Sequence, residues 1–163
     1  MSITVLIIDD EENARQFISS FLIGRGYEVI GAATLKEARL AIQQDIADII
    51  LLDVQLPDGY GPSLLEEISF LPSRPPVILI TAFGDIEMAV EAMKSGAHDF
   101  LQKPIQLLQL EKSIQRAREI VAMRRELAHL RSAQHAEVNF IIGKSQAMKT
   151  LLDQAQRAAS AKV

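Results

Sequence analysis

Residues 49–54 (Ile-Ile-Leu-Leu-Asp-Val) and 77–82 (Val-Ile-Leu-Ile-Thr-Ala) are short, nearly unbroken apolar runs, each bounded by polar or proline-containing segments. A run without polar alternation has no face to turn toward water, so each reads as a strand covered on both sides. Residues 3–8 form a third such run, and residues 28–32 and 97–101 are weaker candidates at similar spacing. Between them the apolar positions take on helical periodicity at residues 13–24, 35–44, 63–71 and 86–95, and again after Ile105, with Gly24 and Gly96 standing where helices stop. Strand and helix alternate five times before residue 120. The right-handed crossover rule then leaves few α/β topologies, of which the doubly wound, flavodoxin-like sheet of five parallel strands in the order 2-1-3-4-5 is the natural one at this size.

The 163 residues accommodate one complete domain and a remainder too short for a second of ordinary size. A 48% hydrophobic and 23% charged composition is that of a globular chain. The net charge of -4 gives no basis for gripping nucleic acid through this piece, because such binding is largely neutralisation of phosphates by Lys and Arg. The absence of cysteine excludes disulfides, thiolate metal sites and cysteine nucleophiles, and fits a cytoplasmic setting. No apolar run is long enough to cross a bilayer, and the start lacks the features of a signal peptide, so no membrane partner is expected.

After Ile105 the pattern changes. Apolar residues recur at Leu107, Leu110, Ile114, Ala117, Ile120, Met123, Leu127 and Leu130 without glycine or proline, a stripe close to a heptad seam. This predicts an extended C-terminal helical linker over residues 106–135, about 40 Å long if continuous from 106 to 132 at the standard rise per residue. Residues 132–139 break the pattern and read as a joint. Residues 140–163 resume with a short strand-like piece, then Ser145 as the cap of a helix over residues 146–159.

In an open parallel sheet, ligands bind beyond the carboxyl ends of the strands, where the winding direction switches. Asp9 and Asp10 close the first run, Asp53 lies near the end of the third, Thr81 near the end of the fourth, and Lys103 follows the fifth. Singly, each has an ordinary explanation: Asp10 as a helix cap, Thr81 as a turn residue, Lys103 as a solvated charge. Their joint occurrence on successive strand ends is what needs explaining. Three clustered carboxylates repel one another unless a cation lies among them, and oxygen ligands without His or Cys favour Mg²⁺. A metal and an ammonium neutralising phosphoryl oxygens, a hydroxyl donating to one of them and a carboxylate nucleophile together suit phosphoryl transfer.

Over residues 3–118 these segments resemble the bacterial two-component receiver domain. The resemblance is carried by the acidic pair ending Val5-Leu6-Ile7-Ile8-Asp9-Asp10, Asp53 with Pro57 and Gly61 after it, Thr81-Ala82, and Phe100-Leu101-Gln102-Lys103-Pro104. It implies a receiver domain over residues 1–120 in which Asp53 is phosphorylated by a partner histidine kinase. It further implies that Asp9, Asp10, Asp53 and the backbone carbonyl of Gln55 hold Mg²⁺, and that Lys103 contacts the acyl phosphate. Ala82 adjoins Thr81 in the phosphate-binding set, and Pro104 follows a cis peptide bond. Thr81 and Phe100 match the pair whose hydroxyl and ring shift together on phosphorylation. A phenylalanine at position 100 has no hydroxyl, so only packing can report the ring's position. Phe83, two residues after Thr81, either shields the acyl phosphate from water or packs against the following helix.

Gly143-Lys144-Ser145 imitates the end of a nucleotide-binding loop, but Val138 stands where that loop needs a further glycine, so nucleotide binding there is rejected. Residues 141–159 instead resemble the opening of the AAA+ domain of sigma-54-dependent activators of the nitrogen-regulator type, which makes residues 140–163 a truncated N-terminal segment of such a domain, without ATPase activity. In that family the receiver and linker pair as a homodimer controlling ATPase assembly, and DNA and sigma-54 RNA polymerase are reached only through domains absent from this chain. The stripe from Leu107 to Leu130 is the expected seam, the alternative being a helix folded back on its own receiver or on an absent AAA+ surface. Two other functions compete: a stand-alone phosphotransfer adaptor, and a magnesium-dependent phosphohydrolase with an aspartate nucleophile. The second requires an acid/base aspartate two residues after the nucleophile, where Gln55 stands.

Overall fold

The computed structural model describes residues 2–82, 86–144, 149–151, 153–155 and 157. In chain order the elements are β1 (Thr4–Ile8), α1 (Glu12–Ile23), β2 (Glu28–Ala32), α2 (Leu35–Gln43), β3 (Ile49–Asp53), a ribbon of β4 (Gln55–Leu56) and β5 (Gly59–Tyr60), α3 (Leu64–Ser69), β6 (Val77–Thr81), α4 (Ile86–Lys94), β7 (Asp99–Gln102) and α5 (Leu107–Lys144). The main sheet is parallel throughout, in the order β2-β1-β3-β6-β7. Counting its five strands alone, this is the expected 2-1-3-4-5. The chain divides into two compact units, Met1–Ala122 and Met123–Val163.

Alternation along each strand builds two cores, as period-two geometry requires. Val5 and Ile7 of β1, with Ile49 and Leu51 of β3, pack with Ile18 and Leu22 of α1 and with Leu110, Ile114 and Ala117 of α5. Leu6, Ile8, Ile50 and Leu52 face the other way, onto Ala38 and Ile42 of α2 and onto Leu64 and Ile68 of α3. All five residues of β3 and all five of β6 are buried, which is why their sequences carry no polar alternation.

Two expectations for the C-terminal helix need correction. Leu110, Ile114 and Ala117, predicted as part of a pairing seam, are essentially unexposed in the core of the first unit, with Leu107 packed partly against it. Helical periodicity is the same whether the covering surface is a sheet or a second helix, so spacing could not separate the two. Met123, Leu127 and Leu130 are exposed and Ile120 is half-buried. The joint at residues 132–139 and the strand-like piece after it are also absent, because α5 runs unbroken to Lys144. Residues 132–139 lose the apolar stripe but contain neither glycine nor proline, and loss of amphipathicity does not by itself end a helix. Ser145, expected as a helix cap, lies outside the described residues. Among those described, no helix is long and apolar enough to cross a membrane.

Candidate functional site

Register brings the chemistry to one edge. Ile8 pairs with Leu52, Asp53 with Ile80, and Thr81 with Gln102. Asp9, Asp53, Thr81 and Lys103 therefore emerge side by side at the carboxyl end of the sheet, where the chain has wound first toward β2 and then back across β1 to β3.

Asp9 has 0% of its surface exposed and Asp53 6%, while Asp10 is exposed. One carboxylate oxygen from each of the three can be chosen so that all lie within 4.8 Å of one another. The Lys103 ammonium sits among them, with Nζ 2.7 Å from Asp53 Oδ2, 3.0 Å from Asp9 Oδ2 and 3.9 Å from Glu11 Oε2. Its approach to Asp53 is aligned as a hydrogen bond. Its approach to Asp9 is an ion pair only, which leaves Asp9 Oδ2 buried without a hydrogen-bond partner. The remaining oxygens are held by backbone: Glu11 N donates to Asp9 Oδ1 at 2.9 Å, and Gln55 N donates to Asp53 Oδ1 at 3.0 Å.

Burial pushes the Asp9 carboxyl above the usual carboxylate range, against the opposing pull of Lys103 and the Glu11 amide. Burial alone would lower Lys103, but Asp53 and Asp9 outweigh it and hold the ammonium above its usual range. Lys103 therefore stays charged at neutral pH. A single ammonium facing three carboxylates leaves uncompensated negative charge, and a buried oxygen with a free lone pair is a ready ligand. The residues fit a hard cation bound through oxygen alone.

Asp10, Asp53, Gln55, Pro57, Thr81 and Ala82 line a cleft of about 340 Å³ over this cluster. The Lys103–Pro104 peptide is cis, as expected, and Lys103 N donates to Thr81 O at 2.8 Å. Phe100 lies on β7, paired with Leu79 and 43% exposed. Phe83, which the sequence offers either as a shield for the acyl phosphate or as packing for the following helix, lies outside the described residues.

Three contributors escaped the sequence reading. Arg15 Nη1 donates to the backbone oxygen of Asp9 at 2.5 Å, bracing the turn that carries it. Asp58 accepts from the first two amides of α2. Gly61, noted only as part of a motif, leaves no room for a side chain against Asp53. The Pro57-Asp58-Gly59 turn signal could have located the ribbon. Nothing in the sequence ties Asp58 to a helix that starts more than twenty residues earlier.

A five-stranded parallel sheet with a carboxylate cluster, hydroxyl and lysine at its carboxyl edge matches the receiver class of signalling domain. Residues 5–115 match the model of the response regulator receiver domain, and the chain belongs to that family. The regulatory protein AtoC of Escherichia coli is 36% identical over 129 residues, covering 79% of this chain and 28% of AtoC. The transcriptional regulatory protein ZraR of Salmonella typhimurium is 34% identical over 152 residues, covering 93% of this chain and 34% of ZraR. Among solved structures, NtrX from Brucella abortus, crystallised in complex with ADP, superimposes with a TM-score of 0.72 at 31% identity, covering 98% of this chain and 36% of that one. The chain thus spans about a third or less of the length of these relatives.

Proposed function

We propose that the domain is a phosphorylation-controlled switch in which Asp53 takes a phosphoryl group from a sensor histidine kinase. The observation that carries this reading is the Lys103 ammonium, 2.7 Å from Asp53 Oδ2, with Asp53 and Thr81 lining one cleft. The Asp53 carboxylate attacks the donor's phosphorus, forming an O–P bond as the P–N bond to the donor histidine breaks. Lys103 neutralises charge on the transferred group and the Thr81 hydroxyl donates a hydrogen bond to it. Asp9, Asp10, Asp53 and the backbone carbonyl of Gln55 would hold Mg²⁺, which supplies further neutralisation of the phosphoryl oxygens. The all-oxygen donor set and the free lone pair on Asp9 support magnesium.

The kinase is assigned to a groove of about 570 Å³ beside the site, lined by Ala14, Phe17 and Ile18 of α1 together with Lys103, Pro104 and Ile105. Phe17 is half exposed there, an apolar anchor next to the acceptor. On phosphorylation Thr81 moves toward the phosphoryl group and the Phe100 ring turns inward, altering the face made by α4, β7 and α5. The exposed Met123, Leu127 and Leu130 support homodimerisation through α5. Likeness to the much longer AtoC, ZraR and NtrX supports a place in a sigma-54-dependent transcription activator, with residues 140–163 opening its AAA+ domain, DNA and sigma-54 RNA polymerase reached through other domains, and a cytoplasmic location.

The test is incubation with acetyl phosphate and Mg²⁺, or with beryllofluoride and Mg²⁺, followed by intact-mass analysis, peptide mapping and sedimentation. One modified site at Asp53, lost in Asp53→Asn, with a changed oligomeric state is the expected result. Steady hydrolysis of free phosphorylated metabolites, with no stable adduct, would instead make the domain an enzyme.

A further inference from the structure

The segment following Asp53 is anchored to a distant part of the chain. β4 and β5 pair only through Gln55↔Tyr60 and Leu56↔Gly59, and so short a two-stranded ribbon has little stability of its own in water. At its turn the Asp58 carboxylate accepts two backbone hydrogen bonds, from Leu35 N at 2.8 Å and Lys36 N at 3.1 Å. These are the first amides of α2, which the helix itself leaves without partners. Gly59, at φ +151°, lies so close to the same helix start that an added Cβ would meet Leu35 Cδ1 at 2.8 Å.

The other end of the ribbon rests on the site. Gln55 N donates to Asp53 Oδ1 at 3.0 Å, and Gly61 N donates to Val54 O at 2.9 Å. Helix α2 already has a cap of its own. Thr34 Oγ1 accepts from Glu37 N at 3.1 Å, and the Glu37 carboxylate accepts from Ala33 N at 2.7 Å. That cap does not reach the Leu35 and Lys36 amides, so the Asp58 carboxylate completes the helix start and, because it is delivered from the ribbon, tethers the ribbon to it.

We propose that Asp58 is a positioning residue for cation binding: by clamping the ribbon onto α2 it keeps Gln55 in place beside Asp53, and the same two hydrogen bonds link the start of α2 to the occupancy of the cluster. This rests on the reading of Asp9, Asp10 and Asp53 as a Mg²⁺ site. Asp58 touches neither the cation nor the phosphoryl group. It acts through the four residues between itself and Asp53.

The experiment is a Mg²⁺ titration of the full chain followed by amide NMR shifts and calorimetry, on wild type, Asp58→Ala, Asp58→Asn and Thr34→Ala. In wild type the Leu35 and Lys36 amides shift together with Gln55 as Mg²⁺ is added. Asp58→Ala weakens Mg²⁺ binding roughly tenfold, the lower end of what loss of a supporting residue costs a metal site, and the Leu35 and Lys36 amides cease to follow Gln55. Asp58→Asn keeps one acceptor oxygen and falls between the two, which preserves the test if the alanine variant does not fold. Thr34→Ala removes the helix's own cap without touching the ribbon and leaves Mg²⁺ affinity within about twofold. Unchanged affinity in both Asp58 variants, or an equal loss in Thr34→Ala, overturns the clamp while leaving the Mg²⁺ site standing. Failure of wild type to bind Mg²⁺ at the cluster overturns both.

Discussion

A Cβ atom on Gly61 would stand 2.0 Å from the backbone oxygen of Asp53. That oxygen cannot retreat without moving Asp53 itself, since the next residue, Val54, donates its N–H to Ile80 O at 2.9 Å. Gly61→Ala is therefore expected to shift Asp53, to destabilise the domain by about 1–3 kcal/mol as overpacking does, and to slow labelling by acetyl phosphate. Thermal melting and the labelling rate measure the two effects, and wild-type values for both would show that the loop yields freely.

Asp9 is held in a setting that opposes its ionisation, with one oxygen buried and lacking a hydrogen bond. Asp9→Asn removes that burden and is expected to raise stability at pH 7 by about 0.5–2 kcal/mol, the range common to single stabilising substitutions. Added Mg²⁺ should raise the melting temperature of the wild type and leave that of Asp9→Asn unmoved. Melting curves with and without Mg²⁺ decide this.

For Asp58 the sign is the reverse. Its hydrogen bond from the Leu35 amide, aided by that from Lys36, holds its carboxyl below the usual carboxylate value of 3.8 despite some desolvation. A depressed folded value contributes stability above that ordinary value and loses it as pH falls through the lowered one. The melting temperatures of wild type and Asp58→Ala should therefore differ by a constant amount near neutrality and converge only below about pH 3.8. Convergence already at pH 5 to 6 would contradict the assignment.

Phe17 supplies the exposed ring of the groove beside Lys103. Phe17→Ala is expected to slow transfer from a phosphorylated histidine kinase by about tenfold, the cost of losing an interface anchor, while labelling by acetyl phosphate, which needs no docking, stays unchanged. Equal slowing with both donors would place Phe17 within the site itself and remove the docking role.

Leu127 is exposed midway along the proposed dimer seam, between Met123 and Leu130. A carboxylate there would have to be buried against its partner, so Leu127→Asp should convert a dimer to a monomer at tens of micromolar in sedimentation. A wild type already monomeric at that concentration would remove the seam.

The sheet and the acidic edge could be read from residue order because each follows from a local rule. Continuous apolar runs at residues 49–54 and 77–82 mark strands with no face for water, and the ends of parallel strands carry the polar residues of a binding crevice. Asp9, Asp10, Asp53, Thr81 and Lys103 stand at such strand ends in the sequence, and register brings their backbones to one edge. What residue order left undecided was which surface covers which. The stripe from Leu107 to Leu130 has one period along its length, yet Leu110, Ile114 and Ala117 are spent on the receiver core while Met123, Leu127 and Leu130 are exposed. Periodicity reports that a helix has an apolar face, whereas the partner of that face is a property of packing. The Asp58 bond to α2 and the Arg15 bond to Asp9 depend likewise on how far apart two backbones come to rest, a distance set only when the whole sheet has been laid down.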